Sequence, residues 1–440
     1  MRQNATSSTT DTFTITASNG VNSTTQTITI TAQDYAGKPV AGTPTVGSPD
    51  TTRAIGTFST LLTVPQFGAN GVYVDSSGYV YAATRNGLYI SKNGQFVLSS
   101  VGGRGVGGVY VDSAGVIYAA TNGGGVYVSR DGGNSYLTYN STFSGLAFDV
   151  VNAVYVDSSR YIYAATAQGL SRSFYPGAGM LSMGGFETLN SGLASTMVRG
   201  VYVDSRGYVY AATADGLAIS LTTDAREGFR TITSGLGSTT VNGVYVVGDP
   251  LTSQGIVYAA TMGGLSYSTD GINFTNITSG LGSTTVLGVY VVGDPLTSQG
   301  IVYAATMGGL SYSTDGINFT NVTSGLASAV VKRVYASDSG IYAATGAGVS
   351  FASVTKGTGV VTGSAAFTDP AGRILTYTTT GTSLGGGTVS VDAATGAFTF
   401  TPTAAQRAVA TANTTDSFTI TASNGVNTRE QTVTVAVAAQ

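Results

Sequence analysis

The chain has 440 residues, of which 42% are hydrophobic and 9% are charged, and its formal net charge is −3. This hydrophobic content supports a large core and argues against global disorder, while the charge provides no basic surface for nucleic acid. The absence of cysteine and histidine excludes disulfide bonds, thiolate metal sites and imidazole catalysis.

The dominant residue types indicate both fold class and location. Gly, Thr, Ser, Val and Tyr are abundant, which favours an all-β protein. No apolar run reaches the ~18 residues of a membrane span, and the first residues, MRQNATSSTTDT, lack the apolar segment of a signal peptide. Since a Thr-, Ser- and Gly-rich chain with few lysines is typical of surface proteins, we expect an extracellular, cell-surface location.

The first predicted element is a β-hairpin that occurs twice. DTFTITASNGVNSTTQTITITA begins at Asp11, and DSFTITASNGVNTREQTVTVAV begins at Asp416. In both copies, alternating strands flank an Asn-Gly turn. We expect residues 1–34 to be the terminal hairpin of a preceding Ig-like repeat, with an exposed edge that can pair with another strand.

Between the two hairpins one pattern recurs seven times: VYV or VYA, a turn, YAAT, a short turn, and a strand that begins with Gly. Copies follow one another at roughly 40 to 50 residues, the period of a four-stranded β-propeller blade. Residues 234–278 and 279–323 differ only at Asn242/Leu287 and Ile277/Val322. The YAAT tyrosines are Tyr81, Tyr118, Tyr163, Tyr210, Tyr258, Tyr303 and Tyr342.

The last copy lacks a fourth strand, and the segment before the first copy can supply it. TFSTLLTV, from Thr57 to Val64, aligns with the fourth strand NFTNIT of other copies. We therefore predict that this segment completes the seventh blade and closes the ring, which brings the two ends of the propeller together.

Turns within the repeats resemble the Asp-box of sialidase-type propellers. SRDGGNSY fits the pattern S-x-D-x-G-x-x-aromatic, and STDGINF occurs twice in a form one residue shorter. The resemblance implies a structural turn whose Asp accepts backbone N–H bonds and whose aromatic side chain packs between blades. The corresponding residues are Ser129, Asp131, Gly133, Tyr136, Ser268, Asp270, Gly271, Phe274, Ser313, Asp315, Gly316 and Phe319.

The C-terminal region alternates predicted strands with DP-x-G, GGG, ATG and NG turns, and it resembles the VCBS or cadherin-like class of bacterial Ig-like repeats. In that class PVAGTPTVGSPDTT directly precedes GVVTGSAAFTDP, but here these segments lie at Pro39–Thr52 and Gly359–Pro370. We predict a seven-bladed β-propeller, residues 53–357, inserted into an Ig-like or cadherin-like β-sandwich. The sandwich consists of residues 35–52, as its first strand, and 358–440.

The sequence argues against catalysis. Sialidase-type propellers need an arginine triad, but Arg85, Arg104, Arg160, Arg199 and Arg333 are scattered along the chain. Glu187 and Glu227 are the glutamates of the propeller, the FRIP-type motif is absent, and no phosphate-binding loop precedes a helix. We expect no enzymatic activity, and a glycan-active, sialidase-like enzyme is the alternative.

Candidate ligand-binding residues follow the YAAT motifs. They occupy a nearly constant T-x-x-G frame, but their chemistry differs between copies, as is usual for loops that carry function. The alternative is that they are only exposed turn residues. The candidates are Arg85, Asn86, Asn122, Gln168, Asp215, Met262 and Met307.

The resemblance to cadherin-like repeats also implies calcium at domain junctions, where Asp369, Asp392 and Asp416 are candidate ligands. No EF-hand-like run of acidic residues is present, and Asp369 before Pro370 fits a turn. We expect no other metal or cofactor.

Three functions remain open. The leading hypothesis is an extracellular adhesion or recognition module, in which a propeller head on an Ig-like stalk binds a glycan or a cell-surface protein. The second is a structural subunit of a surface filament or layer, whose N-terminal hairpin adds strands to neighbouring Ig-like repeats or like subunits. The third is the glycan-active enzyme.

Overall fold

The computed structural model describes residues 9–439 except 19, 21, 33–36, 52, 65–67, 93, 100, 102, 175–183, 251–253, 294, 296–299, 338–339 and 412. In this part the chain is all-β with two short helices, α1 (Ser141–Ser144) and α2 (Ala404–Ala408). Neither of these is long and apolar enough to span a membrane. The chain divides into two compact units, residues 1–54 with 356–440, and residues 55–355.

The strands up to the first blade are short, except for the N-terminal hairpin. They are β1 (Thr9–Ser18), β2 (Ser23–Ala32), β3 (Val40–Ala41), β4 (Thr45–Val46), β5 (Arg53–Ile55) and β6 (Ser59–Thr63). Positions 1–8, 19, 21, 33 and 34 of the predicted N-terminal hairpin lie outside the described residues.

The second unit is a seven-bladed β-propeller whose blades are antiparallel four-stranded sheets. The first blade consists of β7 (Ala69–Val74), β8 (Val80–Thr84), β9 (Gly87–Lys92) and β10 (Gln95–Ser99), and the second of β11 (Val106–Val111), β12 (Ile117–Thr121), β13 (Gly125–Ser129) and β14 (Leu137–Tyr139). The third consists of β15 (Val151–Val156), β16 (Tyr161–Thr166), β17 (Gly169–Phe174) and β18 (Glu187–Thr188), and the fourth of β19 (Val198–Val203), β20 (Val209–Thr213), β21 (Gly216–Ser220) and β22 (Phe229–Ile232).

The fifth blade consists of β23 (Val241–Asp249), β24 (Gln254–Thr261), β25 (Gly264–Ser268) and β26 (Thr275–Ile277), and the sixth of β27 (Val286–Val292), β28 (Ile301–Thr306), β29 (Gly309–Ser313) and β30 (Thr320–Val322). The seventh consists of β31 (Val331–Ser337), β32 (Gly340–Thr345) and β33 (Gly348–Lys356), together with β6.

The ring closes through β6. This strand pairs with β33, with Ser59 opposite Phe351 and Thr63 opposite Gly348, and so supplies the fourth strand of the seventh blade. The innermost strands contact one another in order around the axis, and the last, β31, contacts the first, β7. The segment that the sequence predicted to close the ring therefore does so.

The YAAT strand is the second strand of each blade, and neighbouring blades bury both of its faces. In the second blade Ile117 and Ala119 pack with residues of the first blade, whereas Tyr118 and Ala120 pack with residues of the third. All four side chains are fully buried. The small alanines leave the room that the adjacent blades fill, which explains why this motif is repeated so closely.

The first unit contains a β-sandwich. Its further strands are β34 (Val361–Ser364), β35 (Phe367–Thr368), β36 (Thr376–Thr379), β37 (Thr388–Val391), β38 (Ala397–Thr401), β39 (Thr415–Ser423) and β40 (Thr428–Ala436). The sheets β37-β38-β34-β4 and β36-β39-β40 enclose one apolar core, and β3 pairs with β35. Residues 35–52 thus contribute two short strands rather than one.

The two copies of the hairpin have the same register but opposite environments. Phe13 pairs with Ile28 in β1–β2, and Phe418 pairs with Val433 in β39–β40. Phe418 is 3% exposed in the sandwich core, whereas Phe13 is 47% exposed. The apolar face that stabilises the second copy is therefore uncovered in the first.

We expect Phe418→Ala to lower the free energy of unfolding of the sandwich by about 3–5 kcal/mol, because it leaves a cavity in a close-packed core. The matched substitution Phe13→Ala is expected to change it by less than about 0.5 kcal/mol. Denaturant unfolding of both variants measures the difference. Equal losses would contradict the assignment of opposite environments to the two hairpins.

Candidate binding site at the mouth of the propeller channel

Seven tyrosines form a closed ring around the propeller axis. Each lies on the inner strand of one blade, and neighbouring ring centroids are 4.9 to 5.4 Å apart. Burial raises the pKa of every one of these phenols, so they stay neutral at ordinary pH. This tyrosine ring consists of Tyr73, Tyr110, Tyr155, Tyr202, Tyr245, Tyr290 and Tyr335.

A second ring of side chains arises from a β-bulge near the start of each inner strand. The register shifts at the same place in all seven blades, for example between Val106 and Gly108. A bulge re-aims the extra residue, and all seven extra residues line one cavity of about 580 Å³. This bulge ring consists of Asn70, Gly107, Asn152, Arg199, Asn242, Leu287 and Lys332.

The same cavity is lined by residues of the adjacent turns and strands. They are Val150, Ala167, Met197, Met307, Val330 and Arg333. We call these residues, together with the bulge ring, the channel mouth. It combines amides, cationic groups and apolar surface, as small-molecule sites usually do.

Arg333 lies between the two rings, where the other blades have Gly or Ala. Its guanidinium donates hydrogen bonds to the carbonyls of Leu287, of Lys332 at 2.9 Å and of Asn242 at 3.3 Å. A Cβ at Gly288 would lie 3.0 Å from the Arg333 Cδ, so the glycine makes room for this side chain. Burial lowers the pKa of Arg333 to about 10, which leaves it charged at neutral pH.

The asparagines of the bulge ring connect neighbouring blades. Asn70, Asn152 and Asn242 each donate from Nδ2 to a backbone carbonyl at the start of the next inner strand, over 3.0, 2.7 and 2.8 Å. These bonds fix the orientation of the amides and leave their Oδ1 atoms as acceptors. Lys332 Nζ donates to Oδ1 of Asn70 at 3.0 Å.

The described lining of the channel mouth is cationic and neutral. The channel mouth contains Arg199, Lys332 and Arg333, and no carboxylate is among its described lining residues. Burial lowers the pKa of Lys332, and the nearby charge of Arg85 lowers it further. Beyond the tyrosine ring, by contrast, a turn carboxylate accepts hydrogen bonds in each of four blades: Asp75, Asp112, Asp157 and Asp204.

These carboxylates are part of the scaffold. Asp75 Oδ1 accepts from the backbone N–H of Ser77 and Tyr79 at 2.9 Å, while Oδ2 accepts from the Tyr81 hydroxyl at 2.8 Å. The three other carboxylates also accept a bond from the YAAT tyrosine of their own blade. They thereby tie the turn after each inner strand to the second strand.

The seven residues predicted at the turn tips are all exposed. Their turns lie at the same end of the blades as the bulges, because each bulge faces the last residue of a YAAT strand, as Val106 faces Thr121. The frame is held by the threonine, whose Oγ1 donates to the carbonyl of the glycine that begins the next strand. Of the seven, Met307 lines the mouth itself.

The bulge ring was not predicted as a site, although the sequence contains a signal for it. The residue that precedes the small residue before VYV varies from copy to copy in an otherwise repeated strand. The difference Asn242/Leu287 between the two nearly identical copies falls in this ring. The variation shows that the repeated scaffold does not require one residue type at this position.

The Ser-Asp turns are built from hydrogen bonds within each turn. Ser129 Oγ donates to Asp131 Oδ1 at 2.8 Å, and that atom accepts the N–H groups of Asn134 and Ser135 at 3.0 and 2.9 Å. Asp270 and Asp315 accept two backbone N–H groups each in the same manner. These bonds hold the pKa of all three carboxyls well below the usual value.

The aromatic residues that follow these turns pack on the preceding blade. Tyr136 Oη lies 2.7 Å from Ser99 Oγ of the first blade. Phe274 is buried with residues of the fourth blade, and Phe319 with residues of the fifth. Gly133, Gly271 and Gly316 have φ values of 87, 67 and 74°, a region that favours glycine.

Because the folded-state pKa of these carboxyls is lowered, their stabilisation is present above the unfolded value of about 4 and is lost as pH falls below it. We expect the combined variant Asp131→Asn, Asp270→Asn, Asp315→Asn to unfold at a lower temperature than wild type at pH 7. The difference should narrow at pH 3. Thermal unfolding at both pH values, with Asp215→Asn as the matched control, checks this; a pH-independent difference would contradict it.

The candidate calcium ligands also serve turns. Asp416 accepts bonds from Ser383, Gln406 and the backbone of Gly385, while Asp392 caps the turn that contains Ala394 and Thr395. Asp369 accepts from the Arg373 backbone at 2.8 Å and from Asn424 at 3.1 Å. Among the described residues no three acidic side chains are grouped as a metal site would require.

Glu187 belongs to an ion-pair network in the third and fourth blades. Glu187 accepts a hydrogen bond from Arg172, and its Oε2 lies 3.4 Å from Arg226 Nε. The Arg172 side chain is 2% exposed and also donates to the carbonyl of Asp224. The paired arginines lower the pKa of Glu187 against the opposing effect of burial. This carboxylate is therefore ionised and engaged by cations, and it lies outside the channel mouth.

No family model and no curated protein matches the chain. Solved structures are similar in fold: the extracellular domain assigned to a hybrid two-component system of B. thetaiotaomicron has a TM-score of 0.55 at 16% identity, covering 88% of this chain and 58% of that one. The extracellular domain assigned to a one-component system of the same organism has a TM-score of 0.50 at 11% identity, covering 89% and 58%.

Virginiamycin B lyase from Staphylococcus aureus is similar to the propeller, with a TM-score of 0.53 at 10% identity, covering 69% of this chain and 99% of the lyase. This chain thus spans little more than half the length of the two extracellular domains. At such identities the similarity establishes the fold alone.

Proposed function

We propose that the chain is a non-enzymatic extracellular recognition module whose propeller binds a glycan or a surface protein at the channel mouth. The observation that carries this proposal is the bulge ring. Seven bulges place seven residues of five types (three Asn, and one each of Gly, Arg, Leu and Lys) on the wall of one cavity, while the scaffold around them repeats. Variable side chains on a constant frame are the usual arrangement of a binding site.

Size and surroundings support ligand binding. The cavity of about 580 Å³ lies within the roughly 300–1,000 Å³ of typical small-molecule sites. Glu187 pairs with arginines, Asp75, Asp112, Asp157 and Asp204 accept bonds within turns, and none of these carboxylates lines the cavity. This argues for binding rather than hydrolysis.

The remainder of the chain takes supporting roles in this proposal. The sandwich acts as an Ig-like stalk of the VCBS or cadherin-like type, and the Ser-Asp turns are Asp-boxes that stabilise the blades. The extracellular domains to which the fold is similar support an extracellular location.

A glycan array probed with the labelled chain tests the proposal. We expect binding to a small set of glycans, reduced at least tenfold in the mouth variant Arg199→Ala, Met307→Ala, because both side chains line the cavity. The control variant Ser113→Ala, Ser158→Ala alters turns beyond the tyrosine ring and should bind as wild type does.

Probing whole cells before and after glycan removal separates a glycan from a protein ligand. Loss of binding on glycan removal indicates a glycan, and retained binding that the mouth variant abolishes indicates a protein. Binding that the mouth variant leaves unchanged would overturn the proposal.

The exposed hairpin favours a second candidate function, assembly by strand addition. Phe13 and Ile15 are about half exposed, whereas their counterparts Phe418 and Ile420 are buried against the other sheet of the sandwich. Uncovered strands with an apolar face are suited to pairing with another module. Under this hypothesis the chain is a subunit of a filament or layer.

Light scattering of the full chain at rising concentration tests assembly. We expect oligomers that Phe13→Thr, Ile15→Thr abolishes, because the apolar face is then lost. The matched control is Val97→Thr, Leu98→Thr, two exposed apolar residues of the propeller. A monomer at every concentration, or assembly unchanged by the hairpin variant, would contradict this candidate.

A further inference from the structure

The channel mouth brings three cationic side chains together. Elsewhere in the blades the buried Arg172 is paired with Glu187, and its Cζ lies 4.8 Å from the ring centroid of Tyr161. In the mouth, Arg199, Lys332 and Arg333 share one cavity whose described lining includes no carboxylate. Partly buried cations lose hydration, and an anion would restore what the walls do not supply.

Two guanidinium groups of the mouth carry a charge that no carboxylate of the described lining neutralises. Arg199 Nε is buried and has no hydrogen-bond partner. Arg333 donates to three carbonyls, which satisfy hydrogen-bond donors but do not neutralise a charge. Burial lowers the pKa of both Arg333 and Lys332, so the environment disfavours their charged forms until a negative group is bound.

The hydrogen-bond acceptors of the mouth favour a ligand that is more than a simple anion. Asn152 and Asn242 use their Nδ2 atoms on backbone carbonyls, so toward a ligand their Oδ1 atoms can act only as hydrogen-bond acceptors. A simple oxyanion such as sulfate offers acceptors only. A ligand that satisfies both sets of groups must combine a negative group with hydroxyl donors.

The apolar lining defines the body of such a ligand. Met197, Leu287, Met307 and Val330 offer apolar surface beside the amides, which suits the faces of a sugar ring. The cavity of about 580 Å³ holds a ligand of a few sugar residues at most.

We propose that the channel mouth binds an acidic sugar, with its carboxylate held by Arg199, Lys332 and Arg333 and its hydroxyl groups donating to Asn152 and Asn242. This inference rests on the proposed function and names the class of ligand for the same site. A planar guanidinium group suits a planar carboxylate in shape and charge, and the neutral amides accept hydrogen bonds from the hydroxyl groups. No covalent step is involved.

Calorimetric titration of the full chain tests this inference, with the methyl glycosides of glucuronic and galacturonic acid as probes and those of glucose and galactose as neutral matches. We expect at least one acidic sugar to bind about tenfold to a hundredfold more tightly than its neutral match, the range for hydrogen bonds to charged groups. Affinity should fall as salt rises.

Variants identify the site. Arg199→Gln and Lys332→Gln should each weaken the acidic sugar about tenfold or more and leave the neutral sugar unchanged, and Lys332→Arg should restore part of the affinity. Arg429→Gln, a cation of the sandwich, is the matched control. Near-UV circular dichroism confirms that each variant keeps its fold.

Results other than those expected would each contradict a different part of the proposal. If the mouth binds neutral and acidic sugars equally, the acidic class is wrong while the proposed function stands. If acetate or sulfate binds as tightly as the acidic sugar, the site is a general anion site and the sugar assignment is overturned. If no acidic sugar binds, or the Arg199 and Lys332 variants bind as wild type does, the inference is wrong.

Discussion

Face-to-face packing of blades around a closed ring is the constraint on which the propeller depends. Each second strand is buried by both neighbouring blades, as Ala119 and Ala120 show by facing opposite sides. No blade can therefore bury its apolar surface alone. The pairing of β6 with β33 removes the unpaired edge that a three-stranded last blade would leave.

This packing separates the residues that must repeat from those that can vary. The YAAT strands and the tyrosine ring contact neighbouring blades, so a change in one copy disturbs its neighbours. The threonine of the T-x-x-G turn bonds within its own blade. The bulge residues project into the channel and are released from this restriction. Stability and recognition thus occupy different positions on the same strand.

The few charged side chains near the channel are unevenly placed. Carboxylates beyond the tyrosine ring accept tyrosine hydroxyls, whereas Arg199, Lys332 and Arg333 collect at the mouth. The mouth cavity therefore contains three cationic side chains and no carboxylate among its described lining residues. The cavity beyond the tyrosine ring contains both signs, since Asp112, Asp157 and Arg160 line it.

The sequence alone determined the all-β class, the blade period, the closing strand and the turns, because strand alternation and Asn, Gly and Asp turn signals are local. The T-x-x-G frame also predicted the exposure of the seven turn-tip residues, which are Arg85, Asn86, Asn122, Gln168, Asp215, Met262 and Met307. Only the tertiary structure decided that Asn70, Arg199 and Lys332 line one cavity, since a bulge depends on the pairing with the next strand and the alternation of one strand does not reveal it. Likewise, only packing decided that Phe418 is buried while the same residue type at Phe13 is not, because burial depends on which sheet lies opposite.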